Sequence, residues 1–334
     1  MDGITEKERT TRLAAPLKQA AEERPTVANL PKTEYIFIVG VSRSGTTLMR
    51  YILNQSDQIA ISRENHFLGH LLSSEGMRHK IRQFGDLHED ANVQRLVDFL
   101  YSGYSEKSSW LRRSSSHWRW VTRQIDKEIF LQKILESDRS ERALFATMMD
   151  LFAERRGKVI KGEKTPAHFQ YAETLMDWFP NAKIIHMMRD PRGIFVSELH
   201  RRQKEARSFP YRQLKRVPAL MKLFILLQTT LTWAASARSA STNLAKYPGR
   251  YTIQRFEDLV RHPEEQVSAL CVYLGVPFQE KMLEQEVVSM GFQEKQSGFD
   301  ASAADRWKKY ISPSAERWFH FRFRRQLRSY GYDG

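Results

Sequence analysis

Several side chains in this sequence are spaced so that together they could hold an anion and move a proton. Gly40-Val41-Ser42-Arg43-Ser44-Gly45 lies between an apolar run, Tyr35 to Val39, and the segment Thr46-Thr47-Leu48-Met49-Arg50. The β-branched and aromatic run predicts a short buried strand, and the residues from Thr46 to Leu53 predict a helix. A glycine-bounded loop between strand and helix aims several backbone N–H groups at one point. The positive end of the helix dipole faces the same point. The chemistry of such a cradle is anion binding, with a phosphate as its natural guest. The nucleoside triphosphate pattern G-x-x-x-x-G-K-[ST] places lysine after the second glycine. Here Thr46 holds that place and the cation sits inside the loop, as Arg43. The plain alternative is an ordinary strand–turn–helix built from small residues.

Further chemistry lies past the ends of other predicted strands. Gln58 to Ser62 reads as a second strand, followed by Arg63-Glu64-Asn65-His66. In parallel α/β sheets such positions lie over the ligand crevice, so Glu64 or His66 could act as a general base. Glu64 as a helix cap or ion-pair partner fits equally well. Gly157 to Lys161 is a weak third strand, and Gly162-Glu163-Lys164-Thr165-Pro166 turns into a helix with proline early in it. Lys164 is then a surface residue or an electrophile aimed into the crevice. Lys183 to Met188 is a strand ending at Arg189, and Asp190-Pro191 supplies an N-cap and first-turn proline. The helix that begins there carries Ser197 and Arg201 four residues apart, on one face. Arg189, Ser197 and Arg201 make a phosphate clamp, or else the helix is basic and amphipathic with Arg201 and Arg202 solvated.

The elements that must position these residues alternate short strands with helices. That pattern predicts one α/β domain, a P-loop-like doubly wound parallel sheet flanked by helices, with an α-helical insertion. The chain has 334 residues, enough for such a domain over 34–334. Residues 1–33 are expected to be a flexible arm, broken by Pro25 and Pro31. Residues 70–155 form the helical insertion and the expected acceptor region. Its tryptophans Trp110, Trp118 and Trp120 either line a pocket or pack on the core, and packing is favoured. Val217 to Ala237 is about as long as a bilayer span but contains Lys222 and Gln228, so it is expected to be a buried helix. Lys and Arg number 53 against 39 Asp and Glu, for a net charge of +14, which favours anionic partners. The basic tail Arg317 to Arg328 could touch an anionic surface. The single cysteine, Cys271, excludes an internal disulfide, and a polar N-terminus without an apolar core suggests a cytoplasmic location.

Taken together, these motifs resemble the sulfotransferases that use 3′-phosphoadenosine 5′-phosphosulfate, PAPS, in particular the tyrosylprotein sulfotransferase type and its bacterial relatives. Gly40 to Thr47 is similar to that family's 5′-phosphosulfate loop, with Ser42 at its usual proline. Arg189-Asp190-Pro191-Arg192 with Ser197 and Arg201 resembles the 3′-phosphate site, and Glu163-Lys164-Thr165-Pro166 the lysine turn. Arg255-Phe256-Glu257-Asp258-Leu259 is similar to a recurring segment that more often has tyrosine at Phe256. Arg306-Trp307-Lys308-Lys309 resembles the late loop over the nucleotide. The resemblance implies that Glu64 is the general base, with His66 its rival. It implies that Arg43 and Lys164 neutralise charge at the sulfuryl group, and that Ser44, Gly45, Thr46 and Thr47 hold the 5′-phosphate. Arg189, Ser197 and Arg201 would hold the 3′-phosphate, with Ser302 and Lys309 as late-loop ligands and no metal. A small-molecule or glycan hydroxyl is expected as acceptor ahead of protein tyrosine. Two other functions compete: a P-loop nucleotide kinase or NTPase, which lacks its lysine and an aspartate-ended strand here, and a basic, non-enzymatic anion-binding protein.

Overall fold

The computed structural model describes residues 33–70, 77–102, 120–205, 210–284, 286–288 and 295–332. The expected arm and the tryptophans Trp110 and Trp118 lie outside the described residues. In chain order the elements are β1 (Tyr35–Gly40), α1 (Thr46–Asn54), β2 (Ile59–Ser62), α2 (Met77–Ile81), α3 (Asp90–Ser102), α4 (Lys127–Leu135) and α5 (Glu141–Glu154). There follow β3 (Ile160–Lys164), α6 (Ala172–Trp178), β4 (Ala182–Met188), α7 (Pro191–Lys204), α8 (Tyr211–Leu214), α9 (Pro218–Lys246) and β5 (Tyr251–Arg255). The last are α10 (Phe256–Arg261), α11 (Pro263–Leu274), the hairpin strands β6 (Glu286–Val288) and β7 (Lys295–Ser297), α12 (Trp307–Tyr310) and α13 (Pro313–Ser329). The main sheet has the order β2-β3-β1-β4-β5, with β1 and β2 both parallel to β3. The direction of winding reverses at β1, and in open α/β sheets that is where ligands bind, beyond the carboxyl ends of the strands. The expected sheet and flanking helices are therefore present.

The described chain divides into two compact units, one of Thr33–Val39 with Asp57–Ile184 and one of Gly40–Ser56 with residues 185–332. In the first, β1 is buried throughout and its Phe37 joins Phe67, Phe145 and Phe179 in an aromatic core. The rings pack stacked or tilted, the geometries their quadrupoles favour. Helix α5 presses on β2 and β3. The third strand is Ile160–Lys164 instead of Gly157–Lys161. Gly157 is a left-handed turn residue with φ 63°, and Gly162, which looks like a strand end, sits mid-strand. A Cβ at Gly162 would lie 2.0 Å from the Ile36 carbonyl oxygen, so only glycine permits this approach of β1. Lys164 thereby becomes the last residue of the strand.

In the second unit Trp233, Phe195, Phe319 and Phe323 are fully or almost fully buried. Helix α9 is 29 residues long and carries only one buried face; Leu220, Leu223, Leu227 and Leu231 are exposed. The expectation of a buried helix over Val217 to Ala237 is corrected accordingly. The stretch is apolar on two faces, and overall hydrophobicity does not say which one packs. Gly40 closes β1 with φ 142°, and a Cβ there would fall 2.4 Å from the Met187 carbonyl oxygen. That neighbour is backbone and cannot turn aside. Gly40→Ala is expected to destabilise the fold by at least about 2 kcal/mol, read as a lowered urea midpoint; an unchanged midpoint would show that the loop relaxes freely.

Candidate active site

The glycine loop forms as its residues require. Gly45, at φ 94°, is the N-cap of α1, which receives no side-chain cap and no acid in its first turn. Its leading N–H groups are therefore available to an anion. A Cβ at Gly45 would lie 2.6 Å from the Phe256 ring, so Phe256 forms the floor of the loop. The same ring lies 4.0 Å beneath the Arg189 guanidinium carbon, a cation–π contact that needs no hydroxyl. Arg43 is held in the left-handed region at φ 75°, a strained setting for a side chain of this size. Its Nε donates to Ser197 Oγ at 2.9 Å. Burial lowers the Arg43 pKa to about 10; Glu198 works against this, while Arg201, Arg189 and Arg202 add to it. Three further guanidinium groups thus bear on Arg43, a setting that favours an anion.

Arg189 is partly committed to the protein. Its Nη1 donates to the Arg43 carbonyl at 3.0 Å and its Nη2 to the Ala303 carbonyl at 2.9 Å, so it joins the loop to the late segment. Its buried Nε–H finds no acceptor among the described residues. Burial pushes the Arg189 pKa down. Behind it Asp190 caps α7 and pairs with Arg192, whose guanidinium lies 4.1 Å over Trp307. Glu257, buried, accepts the Asp190 backbone N–H at 3.0 Å. Arg201 lies 3.9 Å from Glu198 on the same helix. Ser44 is turned inward: its hydroxyl donates to the Val41 carbonyl at 2.7 Å and its backbone N–H to the same oxygen at 3.1 Å, so it stiffens the loop. Thr46 is buried and Thr47 half-buried at the helix start. Ser302 donates to Asp300, which also pairs with Arg306, and Lys309 is exposed beside Tyr310.

The other group is built on β2 and β3. Glu64 follows β2, and its Oε1 accepts a hydrogen bond from Lys164 Nζ at the end of β3. Its Oε2 lies 3.5 Å from His66 Nε2. Burial works to raise the Glu64 pKa, but the His66 hydrogen bond and the Lys164 charge outweigh it and hold the carboxyl well below the glutamate range. The Trp120 indole donates to the Glu64 carbonyl at 3.2 Å, so this tryptophan packs and positions. Beneath lies a fully buried trio. Glu163 accepts from Thr165 Oγ1 and from His168 Nδ1, and His168 Nε2 accepts the Leu68 N–H at 3.4 Å. That acceptance places the imidazole proton on Nδ1. Thr165 Oγ1 in turn accepts the Asn65 N–H at 3.3 Å. The trio thus fixes the backbone that follows Glu64 and flanks Lys164 with Glu163 and Thr165. Glu163→Ala is expected to lower stability by about 3 kcal/mol by stranding buried donors, measured by urea denaturation; full stability would mean the trio carries no weight.

A family model described as the sulfotransferase family matches residues 35–280, which include both groups. The chain belongs to the sulfotransferase family. Omega-hydroxy-beta-dihydromenaquinone-9 sulfotransferase Stf3 of Mycobacterium bovis is 26% identical over 262 residues, covering 72% of this chain and 62% of that protein. Carbohydrate sulfotransferase 1 of Danio rerio is 29% identical over 171 residues, covering 49% of this chain and 39% of that protein. The chain thus spans less than two thirds of the length of these curated relatives. Among solved structures, the sulfotransferase domain of the Synechococcus PCC 7002 olefin synthase has a TM-score of 0.49 at 19% identity, covering 87% of this chain and 96% of that domain. The sequence gives no sign of His168 or Glu198, which stand in none of the motifs, and it offers Trp120 and Glu257 without the contacts they make with the Glu64 carbonyl and the Asp190 N–H. Among the described residues, no group of three His, Cys, Asp or Glu side chains is placed to hold a metal ion.

Proposed function

We propose that this chain transfers a sulfuryl group from PAPS to the hydroxyl of a carbohydrate or small lipid-like acceptor, with Glu64 as the general base. The observation that carries the reading is the glycine loop and uncapped helix start, where Arg43 feels the like charges of Arg189, Arg201 and Arg202, only partly offset by Glu198. The acceptor class rests on the relatives, whose names specify a hydroxylated menaquinone and carbohydrates.

The residues fit the donor. Gly40 and Gly45 let the loop pack tightly on the Met187 carbonyl and the Phe256 ring, which fixes the backbone that would meet a phosphate. The loop amides, Thr46 and Thr47 would hold the 5′-phosphate, while Ser197, Arg201 and the Arg189 Nε–H would meet the 3′-phosphate. When bound, PAPS supplies an activated sulfuryl group and a phosphate leaving group. Glu64 accepts the proton of the attacking hydroxyl, and its ionised state suits it to do so. Lys164 would exchange its carboxylate contact for the sulfuryl oxygens and supply positive charge there, leaving His66 to orient Glu64. Arg43 would supply positive charge on the phosphate side.

Calorimetric titration with adenosine 3′,5′-bisphosphate, beside ATP with and without magnesium, tests this reading. Tight binding of the bisphosphate without magnesium and little response to ATP is the expected result. Binding of ATP alone, with magnesium, would overturn it.

A further inference from the structure

Helix α9 presents a line of exposed leucines that the sulfuryl-transfer reading leaves without a role. Leu220, Leu223, Leu227 and Leu231 recur at three- and four-residue spacings and so share one face. Leu231 is 62% exposed. Arg238, seven residues on, extends the same face with an exposed cation. At the other end stand exposed Arg212, Lys215 and Arg216. Helix α13 lies beside α9, with Trp318 Nε1 donating to Thr230 Oγ1 at 2.9 Å. Trp318 shares its face with Phe321, 84% exposed, and with Arg322, ahead of the kink at Phe323. No aspartate or glutamate occurs between Glu205 and Glu257.

We infer that this face of α9 and α13 docks on an anionic phospholipid bilayer, lying in the headgroup layer. Leucines, a tryptophan and a phenylalanine ringed by arginines are what an interfacial helix needs. Charge decides among the possible occupants. An isologous second copy would set the same arginines against each other, whereas anionic headgroups neutralise them. By length and hydropathy α9 could also cross a bilayer. Its opposite face forbids that in the folded chain. Trp233 Nε1 donates to the Arg189 carbonyl at 2.9 Å and Ser236 bonds His186 Nε2 at 2.7 Å, both deep in the domain. The helix therefore lies on the surface. The inference does not depend on sulfuryl transfer.

Sedimentation of the full chain with vesicles of phosphatidylglycerol and phosphatidylcholine, against phosphatidylcholine alone, tests it. Binding is expected to the mixed vesicles only and to fall steeply with added salt. Leu227→Glu is expected to reduce partitioning roughly tenfold or more, because it replaces inserted apolar surface with a charge of the lipid's sign. Phe321→Ser is expected to reduce it severalfold, at a position too exposed to affect folding. Unchanged far-ultraviolet circular dichroism would confirm that both variants fold, and if Leu227→Glu does not, Phe321→Ser decides alone. Equal binding to both vesicle types, no binding, or binding indifferent to the folded variants would each overturn the inference. So would a dimer that the variants dissociate in the absence of vesicle binding, since that assigns the face to a second copy.

Discussion

Glu64→Gln is expected to lower turnover roughly a hundredfold or more while leaving affinity for adenosine 3′,5′-bisphosphate nearly unchanged. Glutamine keeps the shape and still accepts the Lys164 hydrogen bond, but it cannot take a proton from an attacking hydroxyl. The direction of the Glu64 shift sharpens the test. Burial raises its pKa, and the His66 and Lys164 contacts more than reverse that. Removing Lys164 takes away a lowering influence and leaves the burial. Lys164→Ala should therefore move the acid limb of the pH–rate profile to higher pH, beyond slowing the reaction. A limb that stays in place would separate Glu64 from the rate-determining proton transfer. Full turnover in Glu64→Gln would move the base to His66, which lies 3.5 Å from the carboxylate.

Local requirements explain which parts of this site could be read from the chain. The strand, glycine loop and helix start were legible because each condition is met by neighbours in sequence: a β-branched run, two glycines where the backbone must turn, and the residues that open α1. Asp190-Pro191 announced α7 in the same way. The third strand was displaced by three residues because Gly162 answers to Ile36 across the sheet. Phe256 looked like a lost hydroxyl. Its role is to floor the loop at Gly45 and to carry Arg189, and neither contact leaves a trace in its own segment. The exposed side of α9 was illegible for a related reason, since leucine is equally suited to a core and to an unpartnered face. Sequence placed Ser44 among the phosphate ligands, but its hydroxyl is spent within the loop. Types and spacings locate a site, and the second layer that aims it comes from pairs far apart in the chain, such as Trp120 with Glu64.

Arg43→Ala is expected to weaken binding of adenosine 3′,5′-bisphosphate by roughly ten- to hundredfold, the scale of one charge-assisted hydrogen bond of about 1.5–3 kcal/mol. The same change should leave the ligand-free protein as stable as before, or more so. Burial and the charges of Arg201, Arg189 and Arg202 already press on the Arg43 guanidinium, and removing it relieves both. The positive φ at this position adds no penalty, since alanine is no worse placed there than arginine. A binding site assembled from like charges is thus predicted to be stabilised by the anion it awaits. Arg189→Ala provides the contrast. That guanidinium bonds the Arg43 and Ala303 carbonyls, so its loss should lower both affinity and ligand-free stability. Thermal unfolding with and without the bisphosphate separates the cases. Arg43→Ala should keep the ligand-free midpoint and lose most of the ligand-induced rise, while Arg189→Ala should lose both. If Arg43→Ala instead lowers the ligand-free midpoint as Arg189→Ala does, the Arg43–Ser197 hydrogen bond is structural, and the anion is held by the loop amides and α1 without it.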